Sequence, residues 1–582
     1  MQELVGGEVV AAMLGAEGVD TVFGIVDGTY LGLLAGLEKH GITLVSPRHE
    51  TTAAHMAGAY ARSTGRLGVC IASNGPGVAN ILPGVAVENG EGNRVLLVTS
   101  SRRSGISYPD PGGTYQYFDQ HAVIRPMAKW SGHVPSPERL PELARRAMRI
   151  AWRGRPGVVH LDVGEDVLNG THAFGDGWLM PPASYRRTHA LAAHPDEVAA
   201  VASVIRDARR PMIHVGSGVI HAGASAELAA LAEELGAPVT TSWGAQSALA
   251  SGHPCLVPVA AQDVATAAHE EADAFLVIAA RLGETDWWGR GKRWGAPGTT
   301  TIQVDVDDES LGRNRPVDIA VLADARSFTR ALLEELKDNP PAPGLAAQRR
   351  AWGEDLARRT EALDGERLAI LADETTSVHP AQIPVTARRV FGPEAMVVID
   401  GGNTAVWATM FHKAGRPNSI FSTFTFGMLG AGLGQALGVK AAHPDRPVYC
   451  IIGDGAMGMH VQEIETAVRE RLAVTFIVLC DRQWGMVKIT QQVGLGPLRE
   501  AMGSRGQGTI NTDLGEIRFD EVARAMGARG EHVTAPAELD GALRRCAAAD
   551  QPAVVHVDVD PTRHLLPPGL LDFKEMHQEP GR

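Results

Sequence analysis

The stretch VYCIIGDGAMGMHVQEIETAVRERLAVTFIVLCDRQWGM, residues 448–486, indicates the fold of this chain most clearly. It contains two apolar runs, the first ending at residues 453–455 and the second at Cys480 and Asp481, with a helix-like segment between them. Two buried strands joined through a helix form a parallel βαβ unit, and ligands of such sheets bind beyond the carboxyl ends of the strands. Asp454 and Asp481 are therefore either turn residues or two ligands of one cation at a shared sheet edge.

The same alternation of strand-like and helix-like runs extends over most of the 582 residues, which are too many for one hydrophobic core. It predicts an α/β fold of three doubly wound parallel-sheet domains. The predicted limits are 1–175, 190–335 and 370–562, followed by a tail over 563–582. The Pro-rich stretch KDNPPAPGLAAQRR, residues 337–350, is the predicted linker before the third domain, because proline interrupts helices and central strands.

Composition and charge narrow the class of protein. The formal net charge of −13 argues against a nucleic-acid partner, which requires clustered Lys and Arg. The sequence has no run of 18 apolar residues and no basic region followed by a cleavage site, so we expect neither a membrane span nor a secretion signal. The five cysteines are scattered and lack CxxC spacing, which predicts reduced thiols in a cytoplasmic protein without a zinc site.

The chemistry of Asp454 and Asp481 suits a magnesium ion. Mg²⁺ prefers oxygen ligands in an octahedron that phosphate oxygens usually complete. The amides of Gly455 and Ala456, which open the following helix-like segment, would then face the phosphate. Taken alone, Gly-Asp-Gly is more often a tight turn, because these residue types favour turns.

Two further clusters occur in the first predicted domain. Arg48-His49-Glu50 follows the strand-like run ITLVS, and SNGPGVAN, residues 73–80, follows the run LGVCIAS. In isolation, Glu50 suits the first turn of a helix, where the helix dipole stabilises a carboxylate. The SNGPGVAN segment could be a plain loop, since it lacks the GxGxxG spacing of a dinucleotide cradle.

Together these motifs resemble those of thiamine-diphosphate-dependent enzymes of the acetolactate synthase / benzaldehyde lyase-like superfamily. The shared features are RHE before a small-residue helix, the GPG loop, and FGMLGAGLGQALGVKAAHPDRPVYCIIGDG, in an order that covers nearly the whole chain. The resemblance implies pyrimidine-binding, middle and diphosphate-binding domains, with thiamine diphosphate and Mg²⁺ as cofactors. Cys480 and Asp481 replace the paired asparagines of the family. The implied metal ligands are Asp454, Asp481 and an oxygen of Gln483.

The resemblance also implies how the cofactor is held. Glu50 would hydrogen-bond N1′ of the aminopyrimidine, Leu429 would support the bent cofactor, and the carbonyl of Gly427 would accept from N4′. Plain core packing is the alternative for Leu429. The implied cofactor-binding residues are Glu50, Pro76, Asn403, Thr404, Gly427, Leu429, Gly453, Asp454, Gly455 and Ala456. Because the pyrimidine and diphosphate domains of such enzymes meet across a dimer interface, we expect a homodimer with shared active sites, assembled into a homotetramer.

Loop segments resemble those that line the substrate pocket of the family. Gln116, in GGTYQYFDQHAVIRPMAKW, matches an active-site glutamine, and Gly28, in FGIVDGTYLG, matches a small-residue position. The implied catalytic residues are Glu50, Gln116, Gly28 and Leu429. The implied pocket residues are Thr29, Gln116, His121, Trp484, Met486 and Val487, with a structural role as the alternative for His121.

Two departures bear on the reaction. The family's RFDDR, whose second arginine contacts the carboxylate of the acceptor substrate, reads RLGET here, residues 281–285. A substrate carboxylate would therefore lose its arginine partner. The second departure is Thr490, which stands where the family has a tryptophan. The resemblance implies a non-oxidative C–C lyase or carboligase that forms a C2 carbanion/enamine from a 2-oxo acid or 2-hydroxy carbonyl donor.

The alternatives are an FAD-containing pyruvate-oxidase-like oxidoreductase, an acyloin or 2-hydroxyacyl-CoA lyase, and a non-catalytic cofactor-binding scaffold. Part of a flavin-site pattern remains around Arg281, Asp305 and Asp307. The segment VPVAAQD, residues 257–263, departs from that pattern and argues against FAD.

Overall fold

The computed structural model describes residues 1–107, 110–296, 298–372 and 376–576. The chain forms two compact units. The first comprises Met1–His189, Gly430–Asp445 and His460–Val474, and the second comprises Ala190–Leu429, Arg446–Met459 and Thr475–Arg582.

Strands and helices alternate along both units. The strands are β1 (Gln2–Val5), β2 (Thr21–Gly24), β3 (Thr43–Val45), β4 (Gly68–Ala72), β5 (Val95–Ser101), β6 (Trp130–Val134), β7 (Val158–Gly164), β8 (Thr171–Phe174), β9 (Pro211–Val215), β10 (Val239–Thr241), β11 (Ala274–Ile278), β12 (Thr300–Asp305), β13 (Ile319–Leu322), β14 (Met396–Asp400), β15 (Ile420–Phe421), β16 (Val448–Gly453), β17 (Val474–Cys480), β18 (Arg529–Val533) and β19 (Ala553–Asp558).

The helices vary from one turn to more than seven turns. They are α1 (Gly6–Ala16), α2 (Leu31–Lys39), α3 (Glu50–Thr64), α4 (Pro76–Glu91), α5 (Ser104–Ser107), α6 (Gln120–Ile124), α7 (Leu140–Trp152), α8 (Glu165–Asn169), α9 (Pro195–Asp207), α10 (Gly218–His221), α11 (Ser225–Leu235), α12 (Gln262–Glu271), α13 (Ala325–Asp338), α14 (Pro343–Ala369), α15 (Gln382–Phe391), α16 (Asn403–Phe411), α17 (Ala431–Ala442), α18 (Asp454–Met457), α19 (Glu463–Arg469), α20 (Gly485–Ala501), α21 (Phe519–Ala525), α22 (Pro536–Ala547), α23 (Pro561–His564) and α24 (Leu570–Met576).

Three parallel sheets organise the described chain. The first unit contains a six-stranded sheet of order β3-β2-β4-β5-β7-β6, and β1 pairs with β8 in a small antiparallel sheet. The second unit contains a five-stranded sheet, β10-β9-β11-β12-β13, and a six-stranded sheet, β15-β14-β16-β17-β19-β18. Non-consecutive neighbours in each sheet require helical crossovers. The predicted fold class, three doubly wound α/β domains, is confirmed.

Helix α3 is held in the first unit by unusually close packing against α17. A Cβ added to Gly434 would lie 2.8 Å from Cβ of His55, and one added to Gly438 would lie 2.2 Å from the carbonyl oxygen of Met56. Any larger residue at these two positions would separate the helices. The small-residue composition of both helices therefore fixes the position of α3, which begins at Glu50.

The third sheet brings several candidate residues to one edge. Strands β14, β16 and β17 are neighbours, and Asp400 at the end of β14 is in register with Ile452 near the end of β16. All three strands are buried along nearly their whole length, as expected for parallel strands covered on both faces. Their carboxyl ends lead into the loops and helices that begin at residues 401, 454 and 481.

The C-terminal segment continues beyond the last strand. It contains α23 and α24, whereas residues 577–582 of the predicted tail lie outside the described residues. In the part of the chain that the structure describes, no helix combines the length and the hydropathy needed to cross a bilayer.

Candidate active site

Glu50 opens α3 in the first unit and faces the start of α4. His49 caps the helix, its Nδ1 accepting a hydrogen bond from the Thr51 amide. The Glu50 carboxylate accepts a hydrogen bond of 3.0 Å from Nδ2 of Asn80. A Cβ on Gly77 would lie 3.5 Å from Oε1 of Glu50, so the first turn of α4, which Pro76 begins, runs beside the carboxylate. The RHE and GPG motifs are therefore brought together.

Ser100, near the end of β5, joins three loops of the first unit. Its Oγ lies 2.6 Å from Oγ1 of Thr29 and accepts a hydrogen bond of 3.0 Å from the Asn74 amide. Its carbonyl accepts a hydrogen bond of 2.8 Å from Nε2 of Gln120. The sequence motifs did not single out Ser100, because its role depends on loops that are distant in the chain.

Gln116 is held by its backbone against the GPG turn. It adopts a left-handed conformation with φ of 54°, and its carbonyl accepts a hydrogen bond of 3.1 Å from Nδ2 of Asn74. A Cβ on Gly75 would lie 2.6 Å from that same carbonyl oxygen, so only glycine fits the turn. Gly28 and Thr29 begin the turn that Asp27 caps, since the Asp27 carboxylate accepts from the Thr29 amide at 2.8 Å.

His121 belongs to a buried hydrogen-bond network. Its Nδ1 lies 2.8 Å from Oγ of Ser131, which lies 2.8 Å from Nδ1 of His160. Burial lowers the pKa of His160 to about 4. Although burial opposes it, hydrogen bonds from His133 and from the Thr99 hydroxyl hold the pKa of the buried Asp162 below its ordinary value.

The network also anchors the segment that follows Gln116. Nε2 of Gln120 donates to Oδ1 of Asp162 at 2.6 Å. The contact of His121 with Ser131 supports the structural alternative for His121, while the place of His121 in the substrate pocket stays a prediction.

Asp454 is the first residue after β16 in the second unit. Its Oδ1 accepts a hydrogen bond of 2.8 Å from the Gly455 amide, and its Oδ2 accepts one of 2.7 Å from the Arg482 amide. Burial, and then the negative charge of Asp481, raises the pKa of Asp454 to about 6. Two carboxylates thus share a dry edge of the sheet, which is an unfavourable arrangement unless a cation binds there.

Asp481, directly after β17, has one oxygen that is fully engaged. Its Oδ2 lies 2.6 Å from Nδ1 of His564 and 3.0 Å from Nε2 of Gln483, while Oδ1 accepts from the Gln483 amide at 3.3 Å. The Gln483 side chain is also occupied, because its Oε1 accepts from Lys488 at 2.8 Å and its Nε2 donates to the Pro561 carbonyl. If Gln483 supplies an oxygen to a cation, the main-chain carbonyl is therefore the better candidate.

Several glycines pack the surrounding loops tightly. A Cβ on Gly453 would lie 3.0 Å from Oγ1 of Thr404, one on Gly402 would lie 2.9 Å from Cβ of Met486, and one on Gly455 would lie 2.6 Å from the ring of Trp484. The Trp484 amide donates to the Thr512 carbonyl at 2.8 Å, and Val487, three residues on, is 51% exposed. Trp484 and Met486 therefore border the glycine-rich strand ends, whereas Val487 faces outward.

Asn403 carries an unsatisfied polar atom. Its Nδ2 donates to the carbonyls of His564 and Leu565, both at 3.3 Å, while its buried Oδ1 has no hydrogen-bond partner among the described residues. An amide oxygen is an acceptor, so this free oxygen suits a cation or an N–H group. The paired carboxylates are the donors that Mg²⁺ prefers, so the residues present fit the magnesium ion of a magnesium diphosphate group.

Gly427 and Leu429 lie in the turn before α17. Gly427 is left-handed with φ of 71°, its amide donates to the Thr423 carbonyl at 2.6 Å, and the Thr423 hydroxyl donates to the Met428 carbonyl at 3.1 Å. Gly427 is exposed and Leu429 is half-buried. The turn thus holds the Gly427 backbone in a fixed conformation, as an acceptor for a ligand would require.

The middle sheet holds the residues of the partial flavin pattern. Burial raises the pKa of Asp305 to about 6, and its Oδ1 accepts from the Asp307 amide at 3.0 Å. A separate cavity of about 40 Å³, beside β9 and β10, is lined by His214, Trp243, Asp286, Trp287 and Trp294, among others. That volume suits about three water molecules.

Three sequence models of one family match this chain. Thiamine pyrophosphate enzyme, N-terminal TPP binding domain, matches residues 4–123; the central domain matches 198–332; and the C-terminal TPP binding domain matches 400–557. The three matches follow one another in the order of that family and together cover most of the chain. The chain therefore belongs to the thiamine pyrophosphate enzymes.

Similar proteins indicate which thiamine pyrophosphate enzymes this chain resembles. A probable acetolactate synthase large subunit of Methanocaldococcus jannaschii is 28% identical over 97% of this chain and 94% of its own length. A sulfoacetaldehyde acetyltransferase of Alcaligenes xylosoxydans xylosoxydans is 29% identical over 91% of this chain and 88% of its own. Acetolactate synthase isozyme 3 large subunit of Escherichia coli (strain K12) is 27% identical over 97% of both. This protein is a thiamine-diphosphate-dependent enzyme of the acetolactate-synthase-like superfamily.

Proposed function

We propose that the protein is a Mg²⁺-dependent carboligase or acyl transferase that releases the carboxylate of a 2-oxo acid donor as CO2 and joins the donor's carbonyl carbon to an acceptor without oxidation. The observation that carries the proposal is the pair of buried carboxylates, Asp454 and Asp481, at neighbouring strand ends, with the pKa of Asp454 raised to about 6. Such a pair is costly alone and favourable around a divalent cation. It lies in the segment that matches the family's C-terminal cofactor-binding domain.

Named residues would hold the metal and the diphosphate. Carboxylate oxygens of Asp454 and Asp481, with the main-chain carbonyl of Gln483, would ligate Mg²⁺. The N-terminus of α16, at Asn403 and Thr404, and the amides of Gly455 and Ala456 would bind the diphosphate oxygens, because backbone N–H groups at helix starts favour anions. The Gly455 amide also donates to Oδ1 of Asp454, so it would serve both groups. The tight packing at Gly453 supports this role, since larger residues would push these amides apart.

Bound thiamine diphosphate would supply the carbon nucleophile and the electron sink that this chemistry needs. Glu50, at the start of α3, would hold a proton at the pyrimidine N1′. Leu429 and the fixed carbonyl of Gly427 would orient the ring, and Pro76 would border it. The rigid packing of α3 against α17 supports a fixed position for Glu50, as proton transfer requires.

The residues proposed to contact the substrate are Gly28, Thr29 and Gln116 of the first unit and Trp484, Met486 and Val487 of the second. Transfer to an acceptor, rather than simple cleavage, is supported by the synthase and acetyltransferase names of the similar proteins. The RLGET segment keeps the first arginine of the family pattern as Arg281, but its last residue is threonine where the family has the second arginine. We therefore propose an acceptor that does not depend on that arginine for a carboxylate contact.

The proposal includes a homodimer with shared active sites, paired into a homotetramer in the cytoplasm. Exposed apolar side chains support it: Tyr115 is 74% exposed in the first unit, and Val493, Leu498 and Met502 of the second unit are 75%, 56% and 72% exposed. None of the residues of α20 is buried, although several are apolar. Contiguous exposed apolar surface is typical of subunit contacts, and the proposal assigns the surface of α20 to one. Light scattering after gel filtration would report the mass directly.

An FAD-dependent oxidase is not favoured. The segment VPVAAQD, residues 257–263, departs from the flavin-binding pattern of related enzymes. The similar proteins named above are synthases and an acetyltransferase. Purified protein without a flavin absorbance band would agree with this view, and a stoichiometric flavin band in the visible spectrum would contradict it.

A donor panel tests the proposed reaction. Purified protein with thiamine diphosphate and Mg²⁺ would be incubated with pyruvate, benzoylformate, acyloins, sulfoacetaldehyde and 2-hydroxyacyl-CoA, and the products would be identified by NMR. We expect a carboligation or acyl-transfer product that disappears on EDTA treatment and returns with Mg²⁺. Cleavage of an acyloin or of 2-hydroxyacyl-CoA without net ligation would establish the lyase alternative instead.

Two variants separate catalysis from binding. Glu50→Gln should bind the cofactor and lose most of its turnover, since the glutamine amide cannot replace the carboxyl that would hold a proton at the pyrimidine N1′. Asp454→Ala should lose Mg²⁺-dependent cofactor retention altogether. Unchanged turnover in Glu50→Gln would support the non-catalytic scaffold, and unchanged retention in Asp454→Ala would overturn the metal assignment.

A further inference from the structure

His564 is a buried residue of the second unit that is held in place by helix α16. The residue ends the short helix α23 and is 4% exposed. Its carbonyl accepts a hydrogen bond of 3.0 Å from Nε1 of Trp407 and one of 3.3 Å from Nδ2 of Asn403. The backbone of His564 therefore cannot shift without disturbing helix α16.

The two ring nitrogens of His564 face two different residues of the proposed metal and diphosphate site. Nδ1 lies 2.6 Å from Oδ2 of Asp481, and Nε2 lies 3.1 Å from Oγ1 of Thr404. A carboxylate accepts hydrogen bonds, so Nδ1 must carry a proton and donate it. The Thr404 hydroxyl can either donate or accept, so Nε2 is satisfied in either form.

The arrangement distinguishes the two oxygens of Asp481. Oδ2 already accepts from His564 and from Nε2 of Gln483, whereas Oδ1 has only the long 3.3 Å contact with the Gln483 amide. A free carboxylate could turn or bind a cation through both oxygens. With Oδ2 occupied, Oδ1 is the oxygen of Asp481 that remains available to a cation.

We propose that His564 is a positioning residue that makes Asp481 act as a one-oxygen ligand, as the amide of an asparagine would. The inference rests on the proposed function, because it concerns the same metal site. It explains how this chain accommodates a carboxylate at residue 481: the ring N–H of His564 engages the extra oxygen and limits the repulsion with Asp454. Hydrogen-bond partners of this kind orient metal ligands, and their loss weakens metal binding by about 10- to 100-fold.

Metal affinity, rather than turnover, tests the inference. Mn²⁺ binding would be followed by electron paramagnetic resonance, and Mg²⁺-dependent binding of thiamine diphosphate by quenching of tryptophan fluorescence. His564→Asn should raise the Mn²⁺ dissociation constant and the Mg²⁺ midpoint by about tenfold or more. His564→Gln, which can extend an N–H toward Asp481, should recover a large part of that loss.

A matched control separates positioning from general damage. His532 in β18 makes a similar contact with a carboxylate, its Nε2 lying 2.9 Å from Oδ2 of Asp558. His532→Asn should leave the Mg²⁺ midpoint within about twofold of the wild type. A tenfold loss in both asparagine variants would indicate nonspecific damage and overturn the positioning role.

A double-mutant cycle makes the test specific to Asp481. In an Asp481→Asn background the extra oxygen is gone, so adding His564→Asn should change the Mg²⁺ midpoint by less than about threefold. Equal losses in both backgrounds would overturn the inference, as would a wild-type midpoint in His564→Asn. If His564→Asn does not fold, the comparison of His564→Gln in the two backgrounds decides the same question. Wild-type protein that binds no cofactor in the presence of Mg²⁺ would contradict the proposed function itself.

Discussion

The main-chain amide of Arg482 donates a hydrogen bond of 2.7 Å to Oδ2 of Asp454. In making this contact Arg482 adopts a left-handed conformation, with φ of 56°. A non-glycine residue in that region costs about 1–2 kcal/mol. The backbone between two neighbouring strand ends is therefore strained in the place where it orients a proposed metal ligand, which is where such strain commonly occurs.

Arg482 offers a clean test, because its backbone and not its side chain makes the contact. Arg482→Gly should preserve Mg²⁺-dependent cofactor binding within about twofold and leave stability unchanged or slightly higher, since glycine adopts the left-handed conformation without strain. Arg482→Pro should abolish metal-dependent binding, because proline has no N–H and cannot adopt a positive φ. Fluorescence titration with Mg²⁺ would measure both. Normal binding in the proline variant would show that the amide is dispensable.

Asp454 should destabilise the metal-free protein while it stabilises the metal-bound form. At pH 7.5 its carboxyl is ionised, although burial and the charge of Asp481 raise its pKa to about 6 and favour the neutral acid. Asp454→Asn removes that charge but sets an NH2 group against one of the two amides that donate to Asp454, so the metal-free variant should be more stable than the metal-free wild type by only about 1 kcal/mol.

Urea denaturation with EDTA, and then with Mg²⁺ and cofactor, would test both halves of this prediction. The wild type should gain stability from the ligands, and Asp454→Asn should gain little. Lower stability of the EDTA-treated variant, or an equal gain from the ligands, would contradict the prediction.

The side chain of Ser100 should contribute more to the stability of the protein than that of Ser101. Ser100→Ala removes the hydroxyl that contacts Thr29 and the Asn74 amide, and leaves that buried N–H without its partner, at a cost of about 1–3 kcal/mol. Ser101 is the matched control, because its buried Oγ has no hydrogen-bond partner within the described ranges. Ser101→Ala should change stability by less than about 0.5 kcal/mol. Similar losses in thermal and urea denaturation of the two variants would contradict this account.

His269 should contribute to acid sensitivity. Burial lowers its pKa to about 3, and its Nδ1 lies 2.7 Å from the carbonyl oxygen of Arg293. The pKa in the folded state lies below the unfolded value of about 6.5, so the unfolded state binds more protons between those values. The stability contribution is therefore fully present above about pH 6.5 and is lost as the pH falls toward 3.

Removing His269 measures this contribution. Between about pH 6.5 and about pH 4.5, His269→Gln should lose less stability than the wild type by about 2 kcal/mol, which corresponds to roughly one proton over about two pH units. Urea denaturation at a series of pH values would give both slopes. Parallel slopes would show that His269 is not responsible for the acid sensitivity.

The local features of this protein could be predicted from its sequence. Alternating apolar strands and helices predicted three doubly wound sheets, because the periodicity of a buried strand and of a crossover helix is a local property of the chain. The motifs at Glu50 and Asp454 are local in the same sense, since each consists of a few adjacent residues directly after a strand. The family resemblance followed from the order of these motifs, and the three domain matches confirmed it.

The distant residues that support those motifs became apparent only from the tertiary contacts. His564 falls in the segment predicted as a tail, yet it contacts Asp481, 83 positions earlier. Ser100 lacks any motif, yet it contacts Thr29, 71 positions before it, and Gln120, 20 positions after it. Strand ends of a parallel sheet lie side by side although long crossovers separate them in the sequence, so the partners of a site residue depend on sheet order and packing.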